Sequence, residues 1–269
     1  MINIVSENNV ANGKIVSKKQ LQELIQKENA IYEVIRVVEG RPVFLFEHFC
    51  RMNKSIELSR LGRALDFEKF GESVKLLIDS NELRNCNIRV SYSHSEEDTV
   101  LFYFVESHYP SSGQFRDGVK TVTVKMHRDN PNVKLFVKNF KEEVQKVIDS
   151  TKSFEAILIN DDDTVSEGSK SNIFFVREDT LVTSPDSDVL LGVTRDKVVD
   201  VCEKSGIKVE KRTVLKDELE QFDAAFITGT SNDVLPIRYI DEKEYTSAEN
   251  PLVKKVSRLY LEEMKRDIS

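Results

Sequence analysis

Two rhythms of apolar positions run through the chain. Lys120 to Met126 alternates Val122 and Val124 with polar residues, the pattern of a half-buried strand. Ile31 to Val38 is dense in β-branched residues. Glu39-Gly40 turns it and Pro42 to Phe46 returns, which predicts a hairpin. Further strands are expected at Ile88 to Tyr92, Val100 to Val105, Glu155 to Ile159, Thr180 to Thr183, Ile207 to Val209 and Ala224 to Ile227. Helical spacing places Phe49, Met52 and Ile56 on one core face between about Glu47 and Leu61. More helices are expected from Phe67 to Ile78, Asn139 to Ser150 and Pro251 to Arg266. Ser17 and Gln20 have capping-box spacing and open a helix to about Lys27, and Thr194 reads as the N-cap of a helix from Arg195 to Ser205. Ser107 to Gln114, rich in Pro, Ser and Gly, reads as a linker. The expected organisation is therefore a smaller N-terminal α/β domain over 1–110, with largely antiparallel strands, and a larger C-terminal domain over 118–269.

Composition narrows the partners. The 269 residues carry 39 Lys+Arg against 46 Asp+Glu, a net charge of −7, with no basic block of the kind that binds nucleic acid. No apolar run reaches membrane-spanning length, and Met1 to Glu7 is not a signal peptide. Three scattered cysteines (Cys50, Cys86, Cys202) fit a reducing compartment, and four scattered histidines show no ligand spacing for a metal. A cytoplasmic globular protein is expected, with no nucleic-acid, membrane or metal partner.

Candidate chemistry centres on Thr164 to Val176. There a lone carboxylate, Glu167, is followed by Gly168 and small hydroxyl residues, and it could pair with a cation where the backbone approaches closely. Gly192-Val193-Thr194 opens a helix, whose free N–H groups and dipole suit a phosphate. Thr228-Gly229-Thr230 follows an apolar strand and offers further anion donors. His48, Arg51 and Ser55 share a helix face, so the planar fork of Arg51 could grip a phosphate in two-point fashion. Lys134 stands between Val133 and Leu135-Phe136. Desolvation there lowers an amine's pKa and favours attack on a carbonyl, with Lys138 and Lys141 as rivals.

Taken in order, these elements resemble the class IV aminotransferases, the fold-type IV pyridoxal-phosphate enzymes. That group includes branched-chain and D-amino-acid aminotransferases and aminodeoxychorismate lyases. Glu167 to Phe174 is similar to the family's E-G-x-x-x-N-x-F signature, and Leu190 to Arg195 to its L-x-G-x-T-R segment. Glu47-His48 with Arg51 and Ser55 resembles its E-H-x-x-R-L-x-x-S helix, with Met52 in place of the leucine, and Thr228-Gly229-Thr230 its T-G-T loop. The resemblance implies a two-domain α/β (α+β) fold-type IV enzyme with pyridoxal 5′-phosphate between the domains. It implies that Lys134, 33 residues before Glu167, forms the covalent cofactor link and moves the substrate proton. It implies that Glu167 pairs with the pyridine nitrogen, and that Arg51, the Val193 and Thr194 backbone and Thr230 hold the phosphate. Tyr32 would face the substrate, an amino acid or a 2-oxo acid, and the enzyme would be a homodimer. Leu24 to Ala30 lacks the glycine-rich turn usual before Tyr32, and Val137 replaces the usual asparagine after the lysine. Transamination is the expected activity. The alternatives are aminodeoxychorismate lyase, against which Glu33-Val34 replaces the expected threonine, or a non-catalytic descendant.

Overall fold

The computed structural model describes residues 3–25, 30–128 and 130–269. They fall into two compact units: Met1–His108 with Val133–Lys138 and Asp267–Ser269, and Tyr109–Asn132 with Asn139–Arg266. Among the described residues no helix is long and apolar enough to cross a membrane.

The first unit is built on a six-stranded antiparallel sheet. Its strands are β1 (Asn8–Ala11), β2 (Lys14–Ser17), β3 (Ile31–Val38), β4 (Arg41–Pro42), β5 (Cys86–His94) and β6 (Asp98–Val105), in the order β2-β1-β6-β5-β3-β4. The β1–β2 hairpin, not expected from the apolar pattern, turns at Asn12-Gly13 with both φ angles positive (46° and 77°). That is the geometry which matches the right-handed strand twist, and Asn-Gly adopts it readily. Ser17 caps α1 (Lys18–Leu24) in the expected capping box with Gln20. The stretch from Leu24 to Ala30 singled out above contains residues 26–29, which lie outside the described residues. The return strand after Gly40 is shorter than expected. Phe44 takes a left-handed φ of 51° and starts α2 (Leu45–Ser59) immediately, so only Arg41–Pro42 pairs with β3. Helices α2 and α3 (Phe67–Asp79) bury Met52, Ile56, Phe70, Val74 and Leu77 among Ile31, Ile35, Val37, Ile88 and Val90.

The second unit carries a ten-stranded mixed sheet. In chain order the strands are β7 (Val119–Lys125), β8 (Glu155–Ile159), β9 (Thr164–Gly168), β10 (Asn172–Arg177), β11 (Thr180–Thr183), β12 (Lys208–Lys211), β13 (Val214–Leu215), β14 (Ala224–Gly229), β15 (Asp233–Ile240) and β16 (Lys243–Glu244). In space they run β12-β11-β10-β14-β15-β7-β8-β9-β13, with β16 on β15. The β7–β8, β7–β15 and β11–β12 pairs are parallel. Helices α4 (Ser112–Asp117), α5 (Lys138–Thr151), α6 (Val193–Lys204) and α7 (Pro251–Asp267) complete it. Two expectations change here. The stretch read as linker holds α4, capped by Ser111 with Gln114. Helix α6 is capped by Gly192, so Thr194 lies inside its first turn rather than at the cap.

The strands β10 and β14 are buried on both faces. Phe174 and Phe226 stand directly opposite and stack at 5.1 Å on one face, while Ile173, Phe175, Ala225 and Ile227 join the apolar cluster on the other. This pair pins the register of the strand that carries Asn172. Phe226→Ala is expected to lose about 3–5 kcal/mol through lost burial and a residual cavity, measured by urea unfolding. A loss under about 1 kcal/mol would show that the stack is not what holds the two strands together.

Candidate active site

Strand β3 sends Tyr32 and Glu33 to opposite faces. Glu33 points into the otherwise apolar face toward α2 and its side chain is fully buried. A carboxylate there has to be matched by charge and hydrogen bonds. Arg51 supplies both prongs of its fork, Nε donating to Oε1 at 2.7 Å and Nη2 to Oε2 at 2.6 Å, and His48 Nδ1 lies 2.8 Å from Oε2. Burial alone would raise the Glu33 pKa, but Arg51 and then His48 outweigh it and hold the carboxyl well below the usual range. Burial also pushes His48 down, against the pull of Glu33. His48 is therefore neutral at pH 7 and carries its proton on Nδ1, the nitrogen facing an acceptor-only carboxylate. The two-point grip expected of Arg51 is thus made on Glu33.

The segment around Lys134 lies along the part of β3 that the short β4 leaves open. Tyr32 N donates to Lys134 O at 3.1 Å, Phe136 N donates to Ala30 O at 3.1 Å, and Ile31 bridges Leu135. Ser55 Oγ, on the α2 face shared with His48 and Arg51, accepts from Lys134 N at 3.2 Å. These bonds put the Lys134 ammonium 5.1 Å from the centre of the Tyr32 ring. The rival lysines lie on α5, where Lys138 is exposed. On the same face, Arg89 of β5 lays its guanidinium 4.0 Å over Tyr32 and 5.4 Å from Phe136. Arg89 is buried, its Nε has no hydrogen-bond partner, and it has no ion pair among the described residues. Sequence reasoning missed Arg89. Its only signal is an arginine inside an apolar strand.

In the second unit Glu167 is the next-to-last residue of β9, 3 % exposed. Asn172 Nδ2 and Leu190 N each donate to its Oε2 at 3.1 Å, and Arg128 Nε lies 3.0 Å from Oε1. Asn172 Nδ2 also donates to Leu190 O at 2.8 Å, tying the turn before α6 to the Glu167 strand. A Cβ at Gly192 would come within 2.0 Å of Asn172 Oδ1, so only glycine lets the α6 N-terminus sit this close. That helix start has no side-chain cap, which leaves the first-turn N–H groups of Val193 and Thr194 to another acceptor. Thr228 stands directly across from Asn172 on β14 and shares its face. Its buried Oγ1 has no hydrogen-bond partner, and Thr230 follows in the adjoining turn. Arg195 is fully buried, donating to Ser184 O at 2.9 Å and pairing with Asp186 at 2.8 Å, so it braces the turn rather than facing a ligand. Arg128 was not anticipated, since nothing in its local pattern distinguishes it from a surface arginine.

A family model described as amino-transferase class IV matches residues 30–240. The chain belongs to the class IV aminotransferases. It is 29% identical over 266 residues to D-alanine aminotransferase of Bacillus licheniformis, covering 91% of this chain and 93% of that one. It is 30% identical over 227 residues to a probable branched-chain-amino-acid aminotransferase of Thermotoga maritima, covering 82% and 81% respectively. Its fold is similar to that of the Escherichia coli branched-chain amino acid aminotransferase, with TM-score 0.86, 19% identity, and coverage of 98% and 97%. This class IV aminotransferase is a pyridoxal-phosphate enzyme that moves an amino group between an amino acid and a 2-oxo acid. The uncapped start of α6, the orphaned Thr228 hydroxyl and the glycine-only approach at Gly192 fit the phosphate of that cofactor.

The Glu33 cluster gives a pH prediction. A carboxyl held below its unfolded pKa contributes stability that is fully present above that pKa, about 4.3, and is lost as pH falls below it. His48, lowered below its ordinary value, adds to the loss on the acid side. Glu33→Gln should cost about 3–5 kcal/mol at pH 7, because it leaves Arg51 buried without its counter-charge. In urea unfolding the gap between wild type and variant should narrow as pH drops from 6 toward 3. A gap that stays constant over that range would show that Glu33 is not ionised in the folded protein.

Proposed function

We propose that Lys134 is the residue that carries the cofactor covalently and moves the proton at the substrate α-carbon. The supporting geometry is its fixed backbone, bonded to Ser55 and Tyr32, with its ammonium over the Tyr32 ring. When bound, pyridoxal phosphate supplies a ring that takes up the electron pair of the breaking α-bond. Glu167 would pair with the ring nitrogen and favour its protonated form, since a nearby anion stabilises a cation. Arg128 Nε lies 3.0 Å from Glu167 Oε1, a cation set beside that carboxyl group. The Val193 and Thr194 backbone, Thr230 and Arg51 would hold the phosphate. The protein works as a cytoplasmic homodimer on small amino and 2-oxo acids.

Substrate recognition rests on one observation above all, the buried Arg89 guanidinium with no acid partner among the described residues, over the same Tyr32 ring that Lys134 approaches. An unmatched buried cation next to the reacting amine is a receptor for a carboxylate, which every substrate of this chemistry carries. The relatives named for D-alanine and branched-chain amino acids share that carboxylate, and the side chain preferred here is set by a panel of amino donors with 2-oxoglutarate and pyruvate as acceptors.

Two variants test this reading. Lys134→Ala should abolish both turnover and the yellow, borohydride-fixable cofactor label. A label recovered on Lys138 or Lys141 by peptide mapping would reassign the lysine. Arg89→Ala should raise KM for the acid substrate about ten- to a hundredfold while cofactor affinity is kept, the loss expected of one charge-assisted hydrogen bond. An unchanged KM would remove Arg89 from the substrate site.

A further inference from the structure

A second buried carboxylate in the same unit has no part in the roles above. Glu155, in β8, is 2 % exposed, yet it pairs with no cationic side chain among the described residues. Its Oε1 accepts from Lys170 N at 2.5 Å and from Ser169 Oγ at 3.4 Å. Gly168 packs directly onto it: a Cβ there would lie 2.8 Å from Oε1. Ser169 N is held separately by Ala156 O at 2.9 Å, next to Glu155 along β8. All these contacts converge on Gly168 to Lys170, where β9 ends one residue after Glu167 and the chain turns toward Asn172 at the start of β10. The turn in turn holds Arg128, whose Nη2 donates to Ser169 O at 2.7 Å while its Nε lies 3.0 Å from Glu167 Oε1.

We propose that Glu155 is a positioning residue for the Glu167 carboxylate: it clamps the Gly168–Lys170 turn from behind, and the turn aims Arg128 at Glu167. The inference rests on the reading of Glu167 as the partner of the ring nitrogen. The clamp works by reach. A single oxygen at the right depth accepts the Lys170 N–H, and that N–H would otherwise be buried without an acceptor. Burial pushes the Glu155 carboxyl up, against its hydrogen bonds from Lys170, Ser171 and Ser169. A neutral side chain of the same length is therefore a close mimic. If the oxygen withdraws, the turn loosens, Ser169 O shifts under Arg128, and the cation no longer sits against Glu167 Oε1.

The discriminating experiment uses two variants that separate reach from charge. Glu155→Gln keeps the acceptor oxygen in place and drops the charge, whereas Glu155→Asp keeps the charge and draws the oxygen back by one methylene. Each is loaded with pyridoxal phosphate labelled with ¹⁵N in the ring, and the ring-nitrogen resonance reports protonation directly. Cofactor-free melting temperatures report folding. Glu155→Gln should retain the wild-type resonance, and Glu155→Asp should lose protonated ring nitrogen with its phosphate binding kept. The reverse order, or an unchanged resonance in a folded Glu155→Asp protein, overturns the inference. Arg128→Lys tests the same relay without touching the buried carboxylate, because a lysine cannot bridge Ser169 O and Glu167 at once. It should reproduce the Glu155→Asp resonance, and a wild-type resonance there also overturns the inference. Glu167→Gln is the reference: if it leaves the ring nitrogen protonated, the assignment of Glu167 fails, and that result is distinct from any result at Glu155.

Discussion

A carboxylate taken out of water has to be met by something, and three buried glutamates organise this protein by how each is met. Glu33 is met by a full cation, so the Arg51–Glu33–His48 group locks helix α2 onto strand β3. Glu167 is met by two N–H donors on one oxygen and a cation on the other. Both of its oxygens are thus engaged by residues of its own unit. Glu155 is met by backbone and hydroxyl donors and feels the Lys170 charge without forming an ion pair with it, and it shapes a turn. The three differ in partner rather than in burial.

Much of this was legible in the chain, for identifiable reasons. The shared face of His48, Arg51 and Ser55 follows from helical spacing alone, and the structure uses all three residues. The small residues after Glu167 and the glycine before Val193 announce close backbone approach, and the spaces around Gly168 and Gly192 confirm it. The alternation along β3 implies that Glu33 shares the face of Ile31 and Ile35, yet its partner could not be named. Ion pairs between distant segments leave no periodic trace. Arg128 and Arg89 were missed for the same reason, being specified by tertiary neighbours and not by local pattern. The β1–β2 hairpin was a different kind of miss, because Asn12-Gly13 is a strong local signal between short apolar runs that are easily overlooked.

The sites also depend on how strand ends are used. Glu167 stands one residue before the end of β9 and Asn172 opens β10, so the carboxylate and the amide that donates to it flank one short turn. Strand β10 is fixed by the Phe174–Phe226 stack, and the N-terminus of α6 is fixed by Asn172 through Leu190 and Gly192. Rigid apolar packing thus places polar groups that have little freedom to adjust. Precision at such a site comes from supporting contacts behind it, not from the reactive residues themselves.

The first unit gathers three separate stretches of chain: Met1–His108, Val133–Lys138 and Asp267–Ser269. The last is tied in by Phe44 N donating to Asp267 Oδ2 at 2.6 Å and by Arg41 donating to the carbonyls of Ile268 and Ser269. Proteins are made from the N-terminus, and domains commonly fold as they emerge. Here the open edge of β3 is covered only once residues 133–136 have been made, and the anchor at Arg41 and Phe44 is completed only once residues 267–269 have followed. An exposed strand edge is a template for pairing with other chains. During synthesis, then, the segment bearing Lys134 also seals the edge that the nascent first unit would otherwise present to its neighbours.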